Sequence, residues 1–189
     1  MANKDAAFGL RPIGKVGQNA DNQGLSEYNI AASATAIYQN DPVKTAATGT
    51  IVVAGAGGAI LGSLNGVFFT DASTGKPTYA NHLAASNTAT DIVGFVSDDP
   101  YQRFEIQCNS TANQADVFLN GDITYAAGSS PNFVSKVELN KATVTADADV
   151  TLSILGISKD PENSDVAAAN VNLVVGINEH NLAKGTAGI

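Results

Sequence analysis

Asp91-Ile-Val-Gly-Phe-Val-Ser-Asp-Asp-Pro-Tyr-Gln-Arg-Phe-Glu-Ile-Gln-Cys108 reads as two β-strands and a turn. Ile92, Val93, Phe95 and Val96 form a β-branched and aromatic run. Asp98-Asp99-Pro100 supplies turn chemistry, because Asp hydrogen-bonds its neighbouring backbone and Pro presets φ while removing a donor. Beyond it Phe104, Ile106 and Cys108 alternate with Arg103, Glu105 and Gln107, an apolar row backed by a polar row. The pattern predicts a central antiparallel hairpin in a sheet with one wet face.

The same period recurs on both sides of this stretch. Tyr28 and Ile30 alternate with Glu27 and Asn29, and Asp41-Pro42-Val43 turns into a short second piece. Ile51-Val52-Val53 and the longer run Ile60 to Phe69 follow, joined by Gly55-Ala56-Gly57-Gly58. Gly62 and Gly66 interrupt the longer run and predict a bulge or bend within it. Asp71 to Thr90 reads as a polar surface loop, with Tyr79 packed beneath a hairpin tip. Thr111 to Ala115 offers a single helical turn, and Asn120-Gly121 is a tight-turn signal. Val137 and Leu139, then Val150, Leu152 and Ile154, then Val171, Leu173, Val175 and Ile177, complete the strands. Short strands punctuated by Gly, Pro and Asn, with no amphipathic helix of more than a few turns, predict an all-β antiparallel barrel or sandwich.

At 189 residues the chain suits a single all-β domain over 25–189, preceded by an extended arm over 1–24. In the arm Phe8, Leu10, Pro12, Ile13 and Val16 are scattered among glycines, a spacing that fits neither helix nor regular strand. Two readings stand: a disordered terminus, or an arm that docks on a neighbour through Phe8 and Leu10. Aromatic residues make up 6% of the chain and charged residues 15%, against about 25% charged in an average protein. Such a composition predicts a thin core and a surface of amides, hydroxyls and small residues, suited to permanent contact with other chains. A net charge of -8 argues against nucleic acid as a partner, since phosphate contact needs clustered Lys and Arg. No apolar run is long enough for a signal core or a membrane span, so the expectation is assembly in the cytoplasm without export or membrane insertion.

Chemistry is harder to find. The glycines at 55, 57 and 58 lead into a β-like run, with no helix start and no Lys-Ser/Thr pair to hold a phosphate. Cys108 lies on the apolar row and reads as a core residue. His82 and His180 have no Cys or carboxylate at metal-ligand spacing and read as surface residues, with no metal. Asp98-Asp99 and Asp147-Ala148-Asp149 lack the twelve-residue loop that makes calcium binding specific, and read as solvated turns. Few Tyr and no Trp weigh against sugar cleavage, and no local motif supports a Ser-His-Asp triad. The expectation is a protein without enzymatic activity or cofactor.

Three segments carry a resemblance: Lys4-Asp-Ala-Ala-Phe-Gly-Leu-Arg-Pro12, Val93-Gly-Phe95 with Asp98-Asp-Pro100 and Phe104-Glu-Ile-Gln107, and Val174-Val-Gly-Ile-Asn-Glu-His180. Together they resemble the small virion structural proteins of tailed phages, marine phages especially, and among these the capsid decoration, or cement, proteins. That resemblance implies an all-β body on the virion's capsid surface, bound in many copies to the major capsid protein of the shell and to itself as trimers or dimers. It also implies that Phe8 and Leu10 fill apolar niches on the shell, that Arg11 pairs with a shell carboxylate and that Pro12 holds the arm extended. Two other readings remain: another virion component of the tail, neck or fibre base, and a cellular ligand-binding barrel with a pocket lined by Phe68, Phe69, Phe95 and Phe104.

Overall fold

The computed structural model describes residues 3–16 and 25–183. In chain order the strands are β1 (Arg11–Lys15), β2 (Ser26–Asn29), β3 (Pro42–Thr45), β4 (Ile51–Val53), β5 (Gly62–Thr70), β6 (Pro77–Ala80), β7 (Val93–Ser97), β8 (Gln102–Gln107), β9 (Asn120–Gly121), β10 (Ile123–Thr124), β11 (Glu138–Leu139), β12 (Leu152–Ile157) and β13 (Asn172–Ile177). The only helical pieces among the described residues are 3-10 turns of three residues each, at Gln114–Asp116, Lys141–Thr143 and Pro161–Asn163. The chain is all-β and its strands pair antiparallel.

One sheet runs β1-β8-β13-β12-β9. Its period-two pattern sends Phe104 and Ile106, Leu173 and Val175, and Leu152 and Ile154 to one face, all fully buried. The register stands these residues opposite one another, Phe104 against Val175, Ile106 against Leu173, Ile154 against Val175. Cross-strand apolar pairs of this kind are what fixes a sheet's register, because a one-residue slip would turn the whole row to water. Ile60, Leu10, Cys108, Ile123, Val137 and Leu139 complete that core.

The second sheet runs β2-β7-β5-β3-β4, with β6 added on β5. A parallel bridge between Ile30, just past β2, and Ile51 in β4 brings its two ends together, so the sheet curls into a barrel-like lobe. The interior is filled by its own core of Ile30, Ile37, Val43, Ile51, Leu61, Leu64, Val67, Leu83, Ile92 and Val96. A Cβ on Gly94 would already lie 3.0–3.2 Å from the Cδ1 atoms of Ile30, Ile51 and Leu64, so this interior leaves little room. The register shift between Leu64 and Gly66 is the bulge foreshadowed by the glycines of that run.

The two cores meet at Ile60-Leu61. Ile60 belongs to the first and Leu61 to the second. The Ile60 N–H donates to the Glu179 carbonyl at 2.9 Å and the Leu61 N–H to the Val43 carbonyl at 2.7 Å, so two consecutive residues belong to different lobes. A second joint forms at Asp41, whose side chain has no exposure. One of its oxygens accepts from the Tyr38 N–H at 2.8 Å, while Oδ1 is buried without a hydrogen-bond partner. The Ser135 hydroxyl lies close enough to favour the charged form, though not in hydrogen-bonding geometry with Oδ1, and loss of hydration outweighs it.

Burial pushes Asp41 up to about 6 from an ordinary 3.8. The folded state thus holds this proton more tightly than the unfolded chain does. The stability it contributes is full below about pH 4 and is lost as pH rises through about 6, a change of about 3 kcal/mol. Asp71, Asp91 and Asp99 are shifted in the opposite direction, so the contribution is read from a difference. Asp41→Asn is expected to gain stability over wild type between pH 4 and pH 7 in urea titrations; parallel pH curves for the two proteins would contradict the assignment.

Several expectations need correction. The strands of the 91–108 stretch form as read, but they do not pair as a hairpin: β7 belongs to the curled sheet and β8 to the other. The turn between them carries the chain across, with Gln102 N–H donating to the Asp99 carbonyl at 2.9 Å and the Asp98 carboxylate accepting from Ser26 Oγ at 2.8 Å and Tyr28 OH at 2.5 Å. Glu105 and Gln107 in the polar row of β8 are not wet, because other parts of the chain cover them. Gln107 accepts from the Ala6 N–H at 2.9 Å and donates to the Lys4 carbonyl at 3.0 Å, and buried Glu105 pairs with Arg11 and accepts from Ser158 Oγ. Asn120-Gly121 is strand β9 rather than a turn, held between β12 and a bridge to Thr145. The 71–90 segment contains a strand, β6, paired with β5. His180 is buried and His82 half-buried against the Phe133 ring, so neither is a surface residue.

Candidate functional site

The expected arm residues do not form one outward patch. Leu10 is fully buried in this chain's own core, its N–H donating to the Asn40 carbonyl at 2.9 Å and its carbonyl accepting from Ser63 Oγ at 2.6 Å. Half-buried Phe8 lies under the Arg11 guanidinium, 4.6 Å from the ring centroid, and Arg11 pairs with the Glu105 carboxylate of its own chain. Pro12 sits opposite Phe104 in β1, an edge strand that tolerates a residue without an N–H. The physical reason is reach: a sequence that looks irregular because of its glycines still has enough β-compatible residues to add one strand to an exposed sheet edge. Residues 1–2 and 17–24 of the expected arm lie outside the described residues.

Among the described residues β1 is the last strand of its sheet, and four exposed apolar side chains, Ile13, Val16, Tyr101 and Leu182, lie at this end. Ile13 and Val16 extend from β1, and the Val16 N–H donates to the Tyr101 carbonyl at 3.0 Å. Tyr101 is 70% exposed and Leu182 61%, and what singles them out is their clustering, not their exposure alone. A groove of about 350 Å³ runs between Val16, Pro100, Tyr101, Leu155 and Ile177, with Gln102, Asn178 and His180 in its wall. A second hollow of about 440 Å³, bounded by Lys15, Ser26, Asp98, Asp99 and Leu182, adjoins it across Tyr101.

The charges around this end are already engaged. Lys15 and Asp99 pair at 2.6 Å, and Lys15 holds the Asp99 carboxyl below its ordinary range. Burial, and then the hydrogen bond to Asp98, push the Tyr28 phenol up to about 12. His180 Nδ1 accepts from the Leu182 N–H at 3.0 Å, and burial favours its neutral ring. An apolar centre with a paired polar rim is the anatomy of a protein-docking surface. The groove is of a size and polarity that can take apolar side chains.

No group of three or more His, Cys, Asp and Glu among the described residues could hold a metal. The Asp98 and Asp99 carboxylates have the partners already given, and Asp147 accepts from the Asp149 N–H at 3.2 Å. The four phenylalanines weighed as a ligand pocket are not brought together: Phe104 is in the first core, Phe69 packs on the second, and Phe68 and Phe95 lie outside both. Sequence reading missed Tyr101 and Leu182, because a lone Tyr after a Pro turn and a lone Leu near the carboxyl end carry no period. The available signal was the excess of apolar residues among turn residues. Comparison with family models, with characterised proteins and with solved structures finds no match in any of the three.

Proposed function

We propose that this chain is a non-enzymatic virion structural protein, in particular a decoration protein that binds the major capsid protein on the outside of a phage shell and stabilises it. The observation that carries the proposal is the apolar end around Tyr101, Val16 and Leu182, beside β1 at the end of its sheet among the described residues. The resemblance of the 4–12, 93–107 and 174–180 segments points the same way. A cement protein draws its hold from many copies, each covering roughly 800 Å² of a neighbour or more. Groove and edge together offer a surface of the right character. Arg11, exposed on one side of its pair with Glu105, lies on the same strand and can reach a shell carboxylate as well.

Electron cryo-microscopy of the particle containing this chain is the direct test, and density on the shell surface is expected. Rings of six or twelve copies at the tail or neck would replace this reading. Removing residues 1–16 would be a poor probe, since it deletes β1 and Leu10. Tyr101→Asp leaves the cores alone and is expected to lower occupancy on purified shells by roughly tenfold or more. Undiminished occupancy would move the docking surface elsewhere.

A further inference from the structure

The outer face of the curled sheet carries three rings that serve neither core. Phe68 on β5 and Tyr79 on β6 have ring centroids 4.8 Å apart, and Tyr79 and Phe95 on β7 lie 6.3 Å apart with planes 18° from parallel. The register places Tyr79 against Phe68, and Gly66 against Phe95. A shallow hollow of about 340 Å³, with Gly66 in its lining, opens beside Tyr79 and Phe95. Tyr79 is 75% exposed, the most exposed large apolar side chain among the described residues.

We propose that this face binds a neutral saccharide, which stacks a pyranose ring on Tyr79 and Phe95 and sets its hydroxyls against the amides around the hollow. The choice of ligand rests on charge and on hydrogen-bond type. No Lys or Arg lines the hollow; its polar residues are Gln39, Asn65 and Asn81. The exposed Glu27 stands opposite Phe95 in the register, which adds a negative charge to this face. A polyanion, nucleic acid included, is therefore repelled. The C–H face of a pyranose is apolar and weakly positive, which suits the negative face of an aromatic ring. Each hydroxyl both donates and accepts, and so does an amide. Asn81 donates to the Asn132 carbonyl at 3.0 Å and to Gln39 Oε1 at 3.5 Å, and its Oδ1 lies 3.1 Å from His82 Nδ1, which fixes its position at the rim and leaves the Gln39 amide nitrogen and the Asn65 amide for the ligand's hydroxyls. The three rings come from adjacent strands of one sheet, so the platform is rigid before any ligand arrives. This face is separate from the Tyr101 end, and the inference does not depend on the proposed virion role.

The test titrates the full chain with neutral oligosaccharides, namely maltohexaose, cellohexaose and N-acetylchitohexaose, followed by NMR shift mapping and calorimetry, after a neutral-glycan array. Saturable binding by at least one of them is expected, with shifts confined to residues around 66, 79 and 95. Tyr79→Ala should weaken it roughly tenfold or more, and Tyr101→Ala should leave it unchanged. Absence of saturable binding on the array and in titration overturns the proposal, as does equal binding by Tyr79→Ala. Concentration-dependent self-association lost in Tyr79→Ala, or binding of a proline-rich peptide without any sugar, would assign the platform to another chain and overturn it too.

Discussion

Gly9→Ala is expected to destabilise the fold by about 3 to 5 kcal/mol, combining the cost of a left-handed backbone with that of overpacking. Gly9 has a φ of +72°, and a Cβ there would stand 2.3 Å from the Asn40 carbonyl oxygen and 2.5 Å from Ser135 Cβ. Neither neighbour is a flexible side-chain tip. Asn40 also receives the Leu10 N–H and donates to the Phe8 carbonyl, so a shift there disturbs the whole seat of the amino-terminal strand. Against a total stability of about 5 to 15 kcal/mol, the loss is visible directly as a fall in the urea midpoint. Gly14→Ala is the control, because nothing lies within 4 Å of its would-be Cβ and its φ is not in the left-handed region. Equal midpoints for the two variants would refute the packing argument at Gly9.

Phe104→Ala is expected to cost about 3 to 5 kcal/mol, the loss from burial plus the cavity left behind. Phe104 has no exposure and stands between Pro12 on one neighbouring strand and Val175 on the other. The surrounding residues come from a sheet whose register they fix, which limits collapse into the hole. Calorimetric or urea unfolding measures the loss, and a value under about 1 kcal/mol would mean that the site relaxes in a way the close packing argues against.

Strand existence was legible in the sequence wherever the period was clean. Phe104, Ile106 and Cys108, and later Leu173, Val175 and Ile177, alternate without interruption and do face the core. Partnership was not legible, since period two says which face is buried and nothing of which strand lies alongside. The β7 and β8 strands are adjacent in sequence yet belong to different sheets, because Asp98 bonds Ser26 and Tyr28 instead of closing a two-strand turn. Glu105 and Gln107 show the other limit. A polar residue on the outer row reads as solvated until distant segments are known to cover it, here Lys4 and Ala6 at Gln107, and Arg11 and Ser158 at Glu105. The apolar end was illegible for the same reason: Val16, Tyr101 and Leu182 are far apart in sequence and gather only in the fold. Tyr79 was read as a residue packed beneath a loop, whereas strand β6 holds it on the outside.

The adjacency of Ile60 and Leu61 has a mechanical consequence. Tension that reaches either lobe is passed to the other through this peptide unit, as well as through the Asp41 joint and the short turn between β7 and β8, with no slack linker to absorb it. On heating, both halves of this molecule should therefore yield at one temperature and not in two steps.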